Sequence, residues 1–183
     1  MNFIPLPLHG AFIVEPEVYQ DDRGSFCRFY CADEFREIGI DITWVQLNHS
    51  FTRTMGTLRG MHYQIAPYSE VKMVKCISGK VLDVIIDLRK KSPSFLHWTG
   101  VEISAENKRM IYIPEGFAHG FQTLTDNCEM IYHHSRAYEK DAEGAVRWND
   151  PKFNIIWPMT PVHVSERDQN HPWVTEDFSG VNI

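Results

Sequence analysis

A mainly β barrel with a few short peripheral helices is the fold class this sequence predicts, on three observations. From Thr43 onward most of the chain consists of short runs rich in β-branched and aromatic residues. Turn-forming polar stretches interrupt these runs at short intervals, the spacing of a sandwich or barrel. Only one early stretch, "CADEFREIGI" from Cys31 to Ile40, has apolar residues at helical spacing, and Gly39 breaks it after little more than two turns.

The elements follow in order. Residues before about 43 form an N-terminal arm that carries the single early helix. The barrel then runs to about residue 150 through "TWVQLNHSFT", "TLRGMHYQ", "VKMVKCISGKVLDVIIDLR", "HWTGVEIS", "RMIYIPEG", "AHGFQTLTD" and "CEMIYHHSRAY". "SGK" at 78–80 reads as a tight turn between two strands, and "RKKSPSF" and "SAENKR" read as polar connections. "VLDVIIDL" mixes alternation with a continuous apolar core, as a strand inside a packed barrel does. From about 151 to 183 prolines recur without clear periodicity, which suits a segment that wraps the barrel. With no repeat, linker or low-complexity tract, 183 residues make one domain, large enough to bury roughly 70% of the surface the unfolded chain exposes.

Composition narrows the function classes. No apolar run approaches the roughly 18 residues of a membrane span. The start, "MNFIPLPLHG", has neither a basic n-region nor a continuous apolar core, so the cytoplasm is the expected compartment. Cys27, Cys31, Cys76 and Cys128 lack the CxxC spacing of zinc or redox sites and read as reduced thiols. A formal charge of −6 without a basic block argues against nucleic acid as partner and leaves room for a small anion held by a few arginines.

Two stretches resemble the paired motifs of cupins, whose fold is a double-stranded β-helix or jelly roll. Gly56, His62, Glu70 and Gly79 fall near the first motif, but Gln64 stands where a second histidine would be. Pro114, Gly116 and His119 complete the second motif. An amide oxygen binds transition metals weakly beside imidazole, so His62, Glu70 and His119 would be a thin ligand set. That set defines one alternative, a metal-dependent cupin enzyme. Without a metal, a histidine in such a barrel can act as a general base if a carboxylate orients it and an acid faces it. Tyr132, in a strand expected to run in the same sheet, is a candidate acid. Lys72 alternates with Val71 and Met73 and so points to the polar side. Arg23 in "DDRGSF" and Arg59 in "TLRGMH" each precede glycine, which lets the backbone turn closely and present a guanidinium to phosphate.

Taken together, "DDRGSF", "QLNHS", "LRGMHYQ", "KMVKCISGKVLDVIIDLRKKSPSF", "SAENKRMIYIPEGFAHGF", "EGAVRWNDP" and "IIWP" closely resemble, in order and spacing, the dTDP-4-dehydrorhamnose 3,5-epimerase family. The resemblance implies a cofactor-free, metal-independent cupin. It further implies a homodimer with exchanged strands, acting on a nucleotide-linked 4-keto-6-deoxyhexose in deoxysugar or surface polysaccharide biosynthesis. By motif it assigns His62 as base, Asp168 of "SERD" as its orienting carboxylate, Tyr132 as proton donor and Lys72 as the cation near the C4 oxygen. Arg23, Gln46, Asn48, Arg59, His119, Glu143 and Arg167 match substrate-contacting positions, Arg23 across the dimer, and Tyr138 matches the aromatic that stacks on the nucleotide base. Arg28 in "SFCRFY" stands where the family usually has a glutamate, reversing the charge at a substrate-contacting position. "HHSRA" after Tyr132 also departs from the family's usual lysine, threonine and tyrosine pattern. A non-catalytic sugar-nucleotide binding cupin is the remaining alternative.

Overall fold

The computed structural model describes residues 1–183. Its strands are β1 (Asn2–Pro5), β2 (Phe12–Glu15), β3 (Val18–Asp21), β4 (Gly24–Cys27), β5 (Gln46–Thr52), β6 (Thr57–Gln64) and β7 (Lys72–Ser78). They continue with β8 (Lys80–Asp87), β9 (Trp98–Ser104), β10 (Met110–Ile113), β11 (Phe117–Thr123), β12 (Cys128–His134), β13 (Glu143–Ala145) and β14 (His163–Val164). Two short helices, α1 (Ala32–Glu37) and α2 (Glu166–Gln169), complete the fold. No helix is long and apolar enough to cross a membrane.

Two sheets face each other as a cupin jelly roll. One has the order β1-β2-β10-β7-β12-β5, the other β13-β6-β11-β8-β9 with β14 beside β6. Alternation along the strands explains the layers, because successive side chains point to opposite faces. Val81 and Ile85 of β8 turn inward with Val74, Ile111, Phe121 and Met130 to form the core between the sheets. Val84 and Ile86 turn outward and are covered by Val146 and by Phe153 and Val181 of the C-terminal segment. Phe35 of α1 covers the outer face of the first sheet, packing on Phe12, Met73 and Tyr112.

The turn at Gly79 joins β7 to β8 as the sequence reading expects, and because these strands lie in different sheets it is a corner. Two features differ from that reading. Tyr132 in β12 and His62 in β6 likewise belong to opposite sheets, not to one. β1 and β2, assigned to the arm, extend the first sheet through β10, whereas β3 and β4 form a hairpin paired with neither sheet.

Candidate active site

The close approach of β6 and β11 sets the site. Gly60 has φ +129°, and a Cβ there would come within 2.5 Å of Gly120 Cα, so both positions need glycine for the strands to meet. The register shifts between His119 and Phe121, next to the point where His119 lies opposite His62. A bulge of this kind re-aims neighbouring side chains. A cavity of about 880 Å³ opens there between the sheets, lined by His62, Lys72, His119 and Tyr132 among others.

His62 contacts Asp168 through Nε2 at 2.7 Å, across 106 residues of sequence. The fold closes this separation by returning β14 alongside Thr57 and Leu58 of β6, which places α2 beside the histidine. Ser165 caps α2 by accepting the Asp168 N–H, and Gly60 N–H donates to the second Asp168 oxygen at 3.2 Å. Burial pushes the Asp168 carboxyl up, but the hydrogen bond and charge of His62, with the Gly60 N–H and Ser165, hold it at about 2. A carboxylate there accepts from Nε2–H and leaves the other ring nitrogen of His62 with its lone pair. His171 Nε2 also reaches Asp168 Oδ1, at 3.2 Å.

Across the cavity Tyr132 hydrogen-bonds Ser50 at 2.9 Å. Burial raises its pKa well above that of an ordinary phenol, against the lowering effect of the Ser50 hydrogen bond, so it remains a proton carrier at neutral pH. Lys72 is buried and pairs with Glu70 Oε1 at 3.1 Å, while Glu70 Oε2 accepts from His134 Nδ1 at 2.7 Å. His119 pairs with Asp83 at 2.8 Å, and burial pushes the Asp83 carboxyl up against the charge and hydrogen bond of His119.

Asn48, Arg59, Tyr138, Glu143 and Arg167 line the outer part of the same cavity, and Gln46 adjoins it by accepting the Tyr138 N–H. Glu143 links Tyr138 and Arg167, accepting from the phenol at 3.0 Å and pairing with the guanidinium. Arg23 and Arg28 do not line the cavity. Arg23 is 90% exposed and paired with Asp21, and Arg28 is paired with Glu34 at 2.8 Å.

The His62, Glu70 and His119 ligand set is not assembled. Glu70 serves Lys72 and His134, and His119 serves Asp83. Gln64 is buried and spends its amide on the backbone, donating to Tyr68 O and accepting from Glu139 N. His62, Asp168 and His171 do have donor atoms within 4.8 Å of one another, but both histidines reach the same carboxylate oxygen as hydrogen-bond partners. Sequence reasoning did not single out Asp83, Ser50, His134 or His171. Strand pairing brings Asp83, Ser50 and His134 to the site, and the contact with Asp168 brings His171.

A jelly-roll barrel in which an Asp-paired histidine, a buried phenol and a buried lysine line one cavity has the groups a proton-transferring isomerase needs. A family model described as dTDP-4-dehydrorhamnose 3,5-epimerase matches residues 5–176. The Shigella flexneri dTDP-4-dehydrorhamnose 3,5-epimerase is 44% identical over 171 residues, 93% of this chain and 94% of that one. The Bacillus anthracis enzyme of the same name, solved with TDP and PPi bound, superposes with a TM-score of 0.92 at 36% identity, covering 94% of this chain and 99% of that one. A 3'-monoepimerase from Streptomyces bikiniensis, solved with dTDP-quinovose, gives a TM-score of 0.87 at 34% identity, covering 93% and 86%. The chain belongs to the dTDP-4-dehydrorhamnose 3,5-epimerase family and is an isomerase of the carbohydrate epimerase type.

Proposed function

We propose that the protein inverts C3, C5 or both of a nucleoside-diphosphate 4-keto-6-deoxyhexose of the dTDP-4-keto-6-deoxyglucose type, without a cofactor. The observation that carries this reading is the pair of opposed groups, His62 with Asp168 on one sheet and Tyr132 on the other. The C4 ketone acidifies the neighbouring C–H bonds. His62 takes the proton, the C–H pair moves into a C4 enolate, and the Lys72 charge stabilises the oxygen as it becomes negative. The Tyr132 O–H then forms a new C–H bond on the other face, which inverts the carbon, and solvent resets both groups. Each proton transfer supplies roughly 10²- to 10⁴-fold of the acceleration. Arg59, Arg167 and Tyr138 serve the nucleotide end, with the product feeding deoxysugar or surface polysaccharide synthesis in the cytoplasm.

The active form is a homodimer with exchanged strands. Its support is the β3–β4 hairpin, detached from both sheets with Phe26 71% exposed, and the open edge strand β5 with Leu47 62% exposed. Arg23 near the hairpin turn then reaches the partner's cavity. In the dimer Arg28 meets substrate by exchanging its Glu34 partner for it.

Incubation in D₂O with dTDP-, CDP- and GDP-linked 4-keto-6-deoxyglucose, followed by NMR, tests the function and the nucleotide together. Deuterium is expected at C3 or C5 with the dTDP sugar. Tight nucleotide binding with no exchange from any of the three would instead support a binding module.

A further inference from the structure

Gln46, His134 and Lys72 are register partners across three adjacent strands, β5, β12 and β7, and so form one row on the first sheet. Their side chains belong to one continuous set of polar contacts. Tyr138 N–H donates to Gln46 Oε1 at 3.0 Å, Gln46 Nε2 lies 3.2 Å from Asn48 Oδ1, and Asn48 Nδ2 lies 3.3 Å from His134 Nε2. His134 Nδ1 is 2.7 Å from Glu70 Oε2, and Glu70 Oε1 pairs with Lys72 Nζ at 3.1 Å.

The Tyr138 backbone N–H can only donate, and this fixes every later orientation. Gln46 must present its oxygen to Tyr138 and its NH₂ to Asn48. Asn48 then presents its NH₂ to His134, whose Nε2 must accept, so the imidazole is neutral and Nδ1–H donates to Glu70. Glu70 receives one donor on each oxygen, and all three inner members, His134, Glu70 and Lys72, are less than 10% exposed. A set whose inner members are buried and paired with one another is held in place, and removing one member leaves its neighbours unpaired.

We propose that His134 is a positioning residue that couples the nucleotide end of the cavity, at Tyr138, Gln46 and Asn48, to the cation Lys72 at the reacting end. Its inner nitrogen holds Glu70, and through it Lys72, where the enolate oxygen develops. Its outer nitrogen holds Asn48 on the nucleotide side. This rests on the function proposed above for the identities of the two ends, while the contacts themselves do not.

The two ring nitrogens can be replaced separately. Asparagine places its amide near the Nδ1 position and glutamine near the Nε2 position. His134→Asn is therefore expected to keep kcat within about threefold while raising KM and weakening dTDP binding, because the Glu70 contact survives and the Asn48 contact does not. His134→Gln should do the reverse, lowering kcat about tenfold or more with KM and dTDP affinity kept, and His134→Ala should lose both. Gln46→Leu, on the edge strand, reads the same coupling from outside the core and is expected to lower kcat as well as raise KM.

Steady-state kinetics on the dTDP-linked 4-keto sugar, dTDP titration by calorimetry, and thermal melting to confirm folding give the readouts. Asn and Gln variants that behave alike, or a Gln46→Leu variant changed in KM alone, overturn the coupling. If the wild type exchanges no proton with any sugar nucleotide, the proposed function fails and dTDP affinity alone decides the relay. Weakened binding in His134→Asn with binding kept in His134→Gln then supports it. Equal affinities, or no binding by any form, overturn it.

Discussion

At the scale of single residues, the proposed mechanism requires Asp168 to remain an anion beside His62. Asp168→Asn keeps the shape but offers the imidazole a different partner, so kcat is expected to fall roughly 10²- to 10⁴-fold with little change in KM, measured by steady-state kinetics. The same carboxylate links activity to acid stability. Its folded pKa, about 2, lies below the unfolded value near 4, so the unfolded chain binds the proton more readily. The stabilisation, about 2 kcal/mol, is full above pH 4 and disappears as the pH falls through 2. Denaturant melts at pH 5 and pH 2.5 should show this loss in the wild type and a smaller one in Asp168→Asn. His62, Lys72, Tyr132 and His119 were visible in the sequence because each sits in a motif. Asp83, Ser50 and His134 were not, because what makes them part of the site is a partner 36, 82 or 64 residues away.

Among the elements, the β6–β11 contact is the most demanding. Gly60→Ala would force a Cβ to 2.5 Å from Gly120 Cα at a φ that side chains rarely adopt. A loss of at least about 2 kcal/mol is expected from chemical denaturation, together with lost activity, because Gly60 also donates to Asp168. Wild-type stability in this variant would contradict the account. The strands after Thr43 were readable from β-branched and aromatic runs closed by turns. β1 and β2 were not, since each is only four residues long and reads as arm until β10 pairs with it. Sheet membership was equally hidden: a turn such as Gly79 looks the same in sequence whether it closes a hairpin or carries the chain to the opposite sheet. That ambiguity is why Tyr132, expected as the acid facing His62, was placed in the same sheet and is found in the opposite one.

For the molecule as a whole, the exposed hairpin and the open β5 edge are features a lone protomer would have to keep in water. Phe26→Asp is expected to shift sedimentation toward the monomer and to lower activity through loss of Arg23 from the partner's cavity. A wild-type protein that sediments as a monomer with full activity would contradict the exchanged dimer. The C-terminal segment covers the outer face of the second sheet and also delivers Asp168, so wrapping the barrel and pairing His62 are one structural event. The central claim is that two groups on opposite sheets share one inversion. Deuterium incorporation from D₂O into the dTDP-linked 4-keto sugar, followed by NMR in His62→Asn and Tyr132→Phe beside the wild type, tests it most directly. The prediction is exchange with inversion in the wild type, exchange without inversion in Tyr132→Phe, and neither in His62→Asn. Exchange that persists in His62→Asn would contradict the assignment.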